Sequence, residues 1–273
     1  MSKKIVAIGG GENGRLLENG EYAPYNTQAI DEEIIKLTGK TKPNFLFLAH
    51  SMASSLEVQE SYYQTMKKIY GEKFGCYCRD LKSDELDDPD EVREKVEWAD
   101  IIYEGGGDTA IMIALWKNKG FDKVLYDAWN KGKVICGISA GAVCWFTSCN
   151  SDSVNIQADG CNSFESVECL DWLKAHFTPH CNESGRYESS KEQLRENGLV
   201  GIMLSNCSAL VIIDEQYRII SETNTLDSKQ EGSGLKAYWE NGIYFEIILY
   251  PSCEFYLLSE LLAKESQPII RKR

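Results

Sequence analysis

The 273-residue chain has only three histidines and six prolines, and no apolar run approaches the length that crosses a membrane. A membrane-spanning helix needs about 20 consecutive apolar residues, so we predict no such segment. Residues 1–4 lead directly into an apolar stretch rather than into a cleavable signal, so a cytoplasmic protein is expected.

Positive charge is also scarce. Lysine and arginine total 29 against 42 aspartates and glutamates, which gives a formal net charge of −13. Binding to nucleic acid or to an anionic membrane is therefore not expected, and the acidity is typical of a soluble surface. A small peptide substrate and a homodimer remain compatible with this composition.

Cysteine is plentiful, with ten residues, but its distribution does not predict disulfides or a metal site. The cysteines are scattered from Cys76 to Cys253, and several lie in apolar, strand-like contexts. In a reducing cytosol they are expected to be small buried hydrophobic residues. Cys76 and Cys78 have the wrong spacing for a zinc knuckle. We therefore predict neither a metal nor a cofactor.

The first 150 residues alternate short apolar runs with helical patterns, which predicts β-α-β units around a parallel sheet. Strands are predicted at Lys4–Ile8 and at 44–49, 75–79, 100–103 and 134–137, with helices near 27–37, 55–70, 89–97, 109–117 and 121–130. Later apolar runs at 209–213, 218–221, 237–240 and 243–248 resemble hairpins. We predict one domain, with a core over about 1–215 and a hairpin-rich extension over about 216–273.

The sharpest chemical signal is the sequence Gly-Ile-Ser-Ala-Gly at residues 137–141, which follows an apolar run and precedes a helix-compatible segment. A strand, a tight turn and a helix are the context that a nucleophile elbow requires. The small neighbours allow a strained turn that exposes the hydroxyl of Ser139. The alternative is ordinary tight packing of a strand against a helix.

A serine nucleophile needs a base, and three histidines are available. His176 lies 37 residues after Ser139 and follows an apolar stretch, so it can lie at the end of an element. His180 follows a proline and is the second candidate. His50 ends the second predicted strand and could line the same cleft.

The base needs an orienting carboxylate. Asp152 is favoured because it follows the elbow segment closely. The other acidic residues between Ser139 and His176 that could serve are Asp159, Glu165, Glu168 and Asp171.

A second glycine-rich sequence, Gly-Gly-Gly-Asp-Thr at residues 105–109, follows an apolar strand. Glycines there let the backbone approach a ligand, and the N–H groups of Gly107 and Ala140 could form an oxyanion hole. Phosphate binding is the rival interpretation, which the glycines at 9–11 could also suggest. Neither sequence matches a dinucleotide or P-loop motif.

Together, residues 105–109, residues 137–142 and His176 with Phe177 occur in an order and at gaps that resemble the peptidase E family of serine peptidases, the aspartyl dipeptidases, and their relatives the cyanophycinases. The resemblance covers roughly residues 1–215 and is clear from about 99 to 188. It implies an α/β three-layer sandwich with a mostly parallel sheet, like the class I glutamine amidotransferases and flavodoxin, here with an antiparallel C-terminal extension.

The resemblance also implies roles for individual residues. Ser139 matches the nucleophile and His176 the general base, while the N–H groups of Gly107 and Ala140 match the oxyanion hole. Asp152 takes the position of the acid after a short deletion. Arg186 falls near an arginine that grips an acidic substrate side chain, so an acidic, Asp-Xaa-like peptide is the expected substrate.

Two other functions are compatible with the sequence. One is an esterase of the α/β-hydrolase type, although that fold usually places its acid and histidine much farther from the serine. The other is a catalytically inactive binding or regulatory protein on the same scaffold.

Overall fold

The computed structural model of the chain describes residues 2–17, 19–157, 163–222 and 233–264. In chain order, the strands of these residues are β1 Lys4–Ile8, β2 Asn44–Leu48, β3 Tyr77–Leu81, β4 Ile101–Glu104, β5 Val134–Ile138, β6 Phe146–Ser151, β7 Glu165–Glu168, β8 Leu173–Thr178, β9 Gly201–Leu204, β10 Ser208–Ile213, β11 Gln216–Ser221, β12 Gly234–Glu240, β13 Ile243–Leu249 and β14 Tyr256–Leu257.

The α-helices of the same residues are α1 Gln28–Leu37, α2 Leu56–Lys67, α3 Pro89–Trp98, α4 Thr109–Lys119, α5 Phe121–Asn130, α6 Ala140–Val143, α7 Ser153–Gln157, α8 Arg186–Asn197 and α9 Leu258–Leu262. A 3₁₀ turn, His50–Met52, follows β2, and a second one covers Asp84–Asp87. One π-helical turn, Lys68–Lys73, extends α2. None of the helices in these ranges is long and apolar enough to cross a membrane.

The larger sheet has the strand order β14-β11-β10-β1-β5-β4-β2-β3. Its five strands from β1 to β3 in this order pair in parallel, whereas β10, β11 and β14 are antiparallel additions beyond β1. Every residue of β4 and β5 is buried, as expected for central strands that are covered on both faces.

Alternate side chains of these strands point to two separate cores. On β1, Val6 and Ile8 face α1 and α2, and Ile5 and Ala7 face α3, α4, α5 and a second sheet. The result is a layer of helices, a mostly parallel sheet and a further layer. This confirms the α/β three-layer prediction.

The second sheet has the strand order β13-β12-β9-β8-β6-β7, with β6, β8 and β9 parallel. It was not predicted, because the segment from residue 148 to 168 is too polar to resemble a buried strand. The C-terminal strands pair antiparallel with strands of both sheets. The β10 and β11 hairpin spans residue 215 within the larger sheet, and β12 pairs with β9.

Candidate active site

Ser139 lies at the turn between β5 and α6, close to the carboxyl end of the central strand. Its backbone has φ 54° and ψ −115°, an arrangement that costs a non-glycine residue about 1 to 3 kcal/mol. The flanking glycines make the turn possible. A Cβ at Gly141 would lie 2.1 Å from the carbonyl oxygen of Glu104, and one at Gly137 would lie 2.4 Å from that of Gly141.

The helix behind the elbow is shorter than the sequence suggests. α6 is a single turn, and the predicted helical segment continues as β6 from Phe146 onwards. One turn carries little of the dipole that a long helix would direct at the serine. The environment of Ser139 therefore depends on individual donors and acceptors.

His180 is the histidine that contacts this serine. Its Nε2 lies 2.9 Å from the Oγ of Ser139. Its Nδ1 lies 2.6 Å from the Oδ1 of Asn206 and 3.2 Å from the Oε1 of Glu183. Both of these oxygens can only accept, so the Nδ1 atom carries the proton and Nε2 is free to accept from the serine hydroxyl.

Asn206 is itself held in one orientation. Its Nδ2 donates to the Oε1 of Glu183 at 3.2 Å, and its backbone N–H donates to Asn182 at 2.8 Å. Because Glu183 accepts from the amide nitrogen, the amide oxygen must face His180. The hydrogen bond from His180 lowers the pKa of Glu183 to about 2, so this carboxylate is ionised beside the imidazole.

The structure does not bring His176 to the elbow, which corrects its assignment as the base. His176 lies within β8, where its Nδ1 is 2.9 Å from Ser148 Oγ on the adjacent strand β6. Its side chain is fully buried, and burial lowers its pKa to about 4. The imidazole at the elbow is four residues later, where β8 has ended.

His50 does not reach the serine either. It is the first residue of the 3₁₀ turn after β2 and is fully buried, with Nδ1 accepting from Trp116 and Nε2 2.9 Å from the carbonyl oxygen of Leu81. Burial lowers the pKa of His50 to about 4.

Asp152 and Arg186 bind each other, which corrects both predicted roles. The Nη2 atom of Arg186 lies 2.7 Å from Asp152 Oδ2, and its Nη1 contacts Asn150. The guanidinium stacks on Phe164 and is only 3 % exposed. Asp152 therefore neutralises a buried cation instead of orienting a histidine, and Arg186 presents no free guanidinium to a substrate.

The other acidic candidates are not at His180 either. Glu165 and Glu168 lie on the edge strand β7, and Asp171 binds Thr147 and Lys174. Asp159 lies outside the described residues.

The glycine-rich loop after β4 lies against the serine. A Cβ at Gly106 would be 3.3 Å from the Cβ of Ser139. Within the described residues, the N–H groups of Gly107 and Ala140 donate to no protein acceptor. Both groups are therefore available to a ligand beside Ser139.

The glycines after β1 have a different use from phosphate binding. A Cβ at Gly10 would lie 2.1 Å from Asn206 Oδ1 and 2.3 Å from His180 Nδ1. The carbonyl oxygen of Gly9 accepts the backbone N–H of His180 at 2.9 Å. This segment therefore packs against the imidazole and its acceptor.

Sequence reasoning missed Glu183 and Asn206 and placed His180 second. A usable signal existed for the histidine: ligands of parallel α/β sheets bind beyond the carboxyl ends of strands, and Pro179 ends the strand just before His180. Glu183 three residues later is compatible with an orienting acid. Asn206 carries no signal of its own, because its position depends on how β9 and β10 meet.

In the described part of the chain, no group of three or more histidine, cysteine, aspartate or glutamate side chains could hold a metal ion.

Comparison with solved structures agrees with the fold. The structure is similar to that of a peptidase from an acI-B1 actinobacterium, with a TM-score of 0.69 at 18 % identity over 94 % of this chain and 97 % of the other. It is also similar to a putative peptidase E protein from Listeria monocytogenes EGD-e, with a TM-score of 0.57 at 17 % identity over 81 % and 99 % of the two chains.

At the sequence level, the chain is 30 % identical over 238 residues to the uncharacterized peptidase YgaJ of Bacillus subtilis (strain 168), covering 86 % of this chain and 91 % of that protein. The model of peptidase family S51 matches residues 15–220, a range that contains Ser139, His180 and Asn206. The chain therefore belongs to peptidase family S51.

Proposed function

We propose that the chain is a serine peptidase in which Ser139 is the nucleophile and His180 is the general base. The observation that carries the proposal is the 2.9 Å contact between His180 Nε2 and Ser139 Oγ at a strained turn. As the serine oxygen attacks the scissile carbonyl, Nε2 takes its proton. The resulting imidazolium then protonates the leaving amine, and a water molecule releases the acyl group by the same route in reverse.

Asn206 and Glu183 replace Asp152 as the orienting group in this mechanism. Asn206 Oδ1 fixes the tautomer of His180, and the negative charge of Glu183 stabilises the imidazolium. The N–H groups of Gly107 and Ala140 are proposed to bind the developing oxyanion, in a role that is worth on the order of a hundredfold in rate for each donor.

The experiment compares the two histidines in the same assay. Hydrolysis of a peptide library should fall at least about a thousandfold in Ser139→Ala and His180→Gln, whereas His176→Gln should stay within about tenfold of the unchanged protein. Circular dichroism confirms that each variant is folded. An active His180→Gln protein together with a folded but inactive His176→Gln protein would refute the assignment.

Reaction with a fluorophosphonate tests the alternative of an inactive binding protein on this scaffold. Such a probe labels only an activated serine, so labelling should require both Ser139 and His180. A folded protein that is not labelled and hydrolyses no peptide would support the binding function. The cytoplasmic location stays a prediction, which cell fractionation tests.

A preference for acidic peptides is the finer part of the proposal, and it needs a cation other than Arg186. Arg15 is the candidate, because it lies on the loop that follows the glycines at 9–11. The phenol oxygen of Tyr62 accepts from the N–H of Gly106, in the loop beside Ser139, at 3.2 Å. Burial raises the pKa of this phenol to about 12, and the charges of Glu12 and Arg15 also act on it, which indicates that Arg15 lies near that loop. Arg15 pairs with Glu12 in an exposed ion pair, which is weak enough to exchange for a substrate carboxylate.

Arg15→Gln should lower kcat/KM for Asp-Xaa dipeptides by about tenfold more than for neutral dipeptides. Arg93→Gln is the matched control, because Arg93 forms an exposed pair with Asp90 at the same i,i+3 spacing on α3. If Arg15→Gln leaves the ratio of acidic to neutral cleavage unchanged, Arg15 does not select the substrate.

A further inference from the structure

The loop between β4 and α4 carries one of the proposed oxyanion donors, the N–H of Gly107. The buried side chain of Ser51 forms hydrogen bonds to this loop. The hydroxyl of Ser51 lies 2.9 Å from the carbonyl oxygen of Gly106 and 3.2 Å from that of Gly105. The carbonyl oxygen of Ser51 accepts the backbone N–H of Asp108 at 2.9 Å. Ser51 therefore contacts one group in each of the three peptide units between Gly105 and Asp108.

These bonds determine where the N–H of Gly107 points. In a trans peptide the C=O and N–H groups point in opposite directions. Because Ser51 holds the Gly106 carbonyl, the N–H of the same peptide unit, which belongs to Gly107, is directed away from Ser51. Ser139 lies against the same loop, because a Cβ on Gly106 would be 3.3 Å from the Cβ of Ser139.

Ser51 is itself firmly placed and does not line the cleft. Its side chain is 2 % exposed, and its backbone N–H donates to Glu104 Oε1 at 3.0 Å. It lies in the 3₁₀ turn that His50 begins, and His50 is fixed by Trp116. On the other side of the loop, Tyr62 accepts from the N–H of Gly106, which removes that donor from competition with Gly107.

We infer that Ser51 is a positioning residue for catalysis, whose hydroxyl directs the Gly107 N–H at the oxyanion that forms on the substrate. This inference rests on the proposed serine peptidase function. Ser51 touches neither Ser139 nor the substrate, and its effect passes through the orientation of one peptide unit. The effect is therefore confined to the state in which the oxygen is charged.

The test is Ser51→Ala, assayed for kcat, KM and inhibition by a peptidyl aldehyde, whose adduct with the serine carries an oxyanion. The expected result is a fall in kcat of about ten- to a hundredfold with KM unchanged, and a similar rise in the Ki of the aldehyde. Ser55→Ala is the matched control. It makes the same substitution four residues away, where the hydroxyl accepts from the N–H of Val58 at the start of α2. It should leave kcat, KM and the Ki of the aldehyde unchanged.

Ser51→Cys covers the case in which the alanine variant does not fold. It is nearly isosteric and keeps a weaker donor, so kcat should fall by less than in a folded alanine variant, again without a change in KM. A folded Ser51→Ala or Ser51→Cys protein with unchanged kcat and aldehyde affinity would overturn the inference. If Ser139→Ala also keeps full activity, the proposed function fails as well, whereas an inactive Ser139→Ala protein confines the failure to Ser51.

Discussion

The three histidines of this chain differ in solvent exposure, and this difference decides their chemistry. A general base must reach a substrate cleft and still be held in place by a hydrogen-bond acceptor. His50 and His176 are fully buried, and burial lowers the pKa of each to about 4. His180 is 19 % exposed and contacts Ser139. The turn at Ser139 could be predicted from sequence because a strand, a tight turn and a helix are local features. The histidine that contacts it could not be predicted from spacing alone, because a shift of four residues moves a side chain from the interior of β8 to beyond its end.

The third member of the site was less predictable still. Nothing in the sequence around Asn206 indicates catalysis, and its contact with His180 arises only when the turn after β9 meets the turn after β8. Asp152 was favoured because acidic residues are expected beside a catalytic histidine. In the structure that carboxylate binds the buried Arg186 instead, because a buried cation without a partner would destabilise the fold.

Glu104 supplies a prediction about pH and stability at the scale of one residue. Its carboxyl group is fully buried, and its Oε2 has no hydrogen-bond partner among the described residues. Burial raises its pKa from the ordinary 4.5 to about 8. Between these values the folded protein holds a proton that the unfolded chain releases, so stability falls as the pH rises.

We expect this group to cost on the order of 3 kcal/mol between pH 5 and pH 8, and Glu104→Gln should remove that loss. Urea unfolding of both proteins at pH 5, 6.5 and 8 measures it. The buried histidines titrate in both proteins and cancel in the difference. Parallel pH profiles for the two proteins would show that the carboxyl group does not hold its proton in this range.

At the scale of elements, the predicted strands and helices of the first 150 residues agree with the structure to within a few residues. α5 has the predicted bounds, and α4 begins where Asp108 caps it. The second sheet was missed for a physical reason. Ser148 and Asn150 are buried polar residues of β6, and their hydrogen bonds to His176, Ser189 and Gln193 replace the apolar pattern that identifies a strand.

The loop after β1 gives a prediction about how elements meet at the site. Gly10 has no room for a side chain, because a Cβ there would overlap Asn206 and His180. Gly10→Ala should displace the imidazole and lower kcat by about a hundredfold, since small misplacements of catalytic groups have effects of that size.

The matched control is Gly20→Ala on the same loop. Gly20 has φ 83° and no atom within 4 Å of an added Cβ, so the change should cost about 1 to 2 kcal/mol in stability, from backbone strain alone, and leave kcat unchanged. A Gly10→Ala protein with unchanged kcat would mean that the loop can move away from the imidazole without disturbing it.

At the scale of the whole molecule, the larger sheet combines strands from both halves of the chain, whereas the strands of the second sheet all come from the second half. The parallel strands come mainly from the first half, but β10 and β11 extend the larger sheet and β12 and β13 complete the second. Hydrophobic patterns identified the hairpins individually, but pairing across more than 150 residues leaves no local trace. The predicted division into a core over 1–215 and an extension over 216–273 is therefore best tested directly.

A chain that ends at residue 215 should not fold cooperatively. It lacks β11 to β14, which removes buried residues such as Tyr217, Ile219 and Tyr238 and exposes the edges of β10 and β9. Each large buried side chain contributes about 1.5 to 3 kcal/mol, so the loss is comparable with the 5 to 15 kcal/mol that stabilises a typical domain. Thermal unfolding followed by circular dichroism measures this. A chain that ends at residue 264 keeps every strand named here and should unfold cooperatively, whereas a cooperative transition in the 1–215 chain would establish the extension as a separable addition.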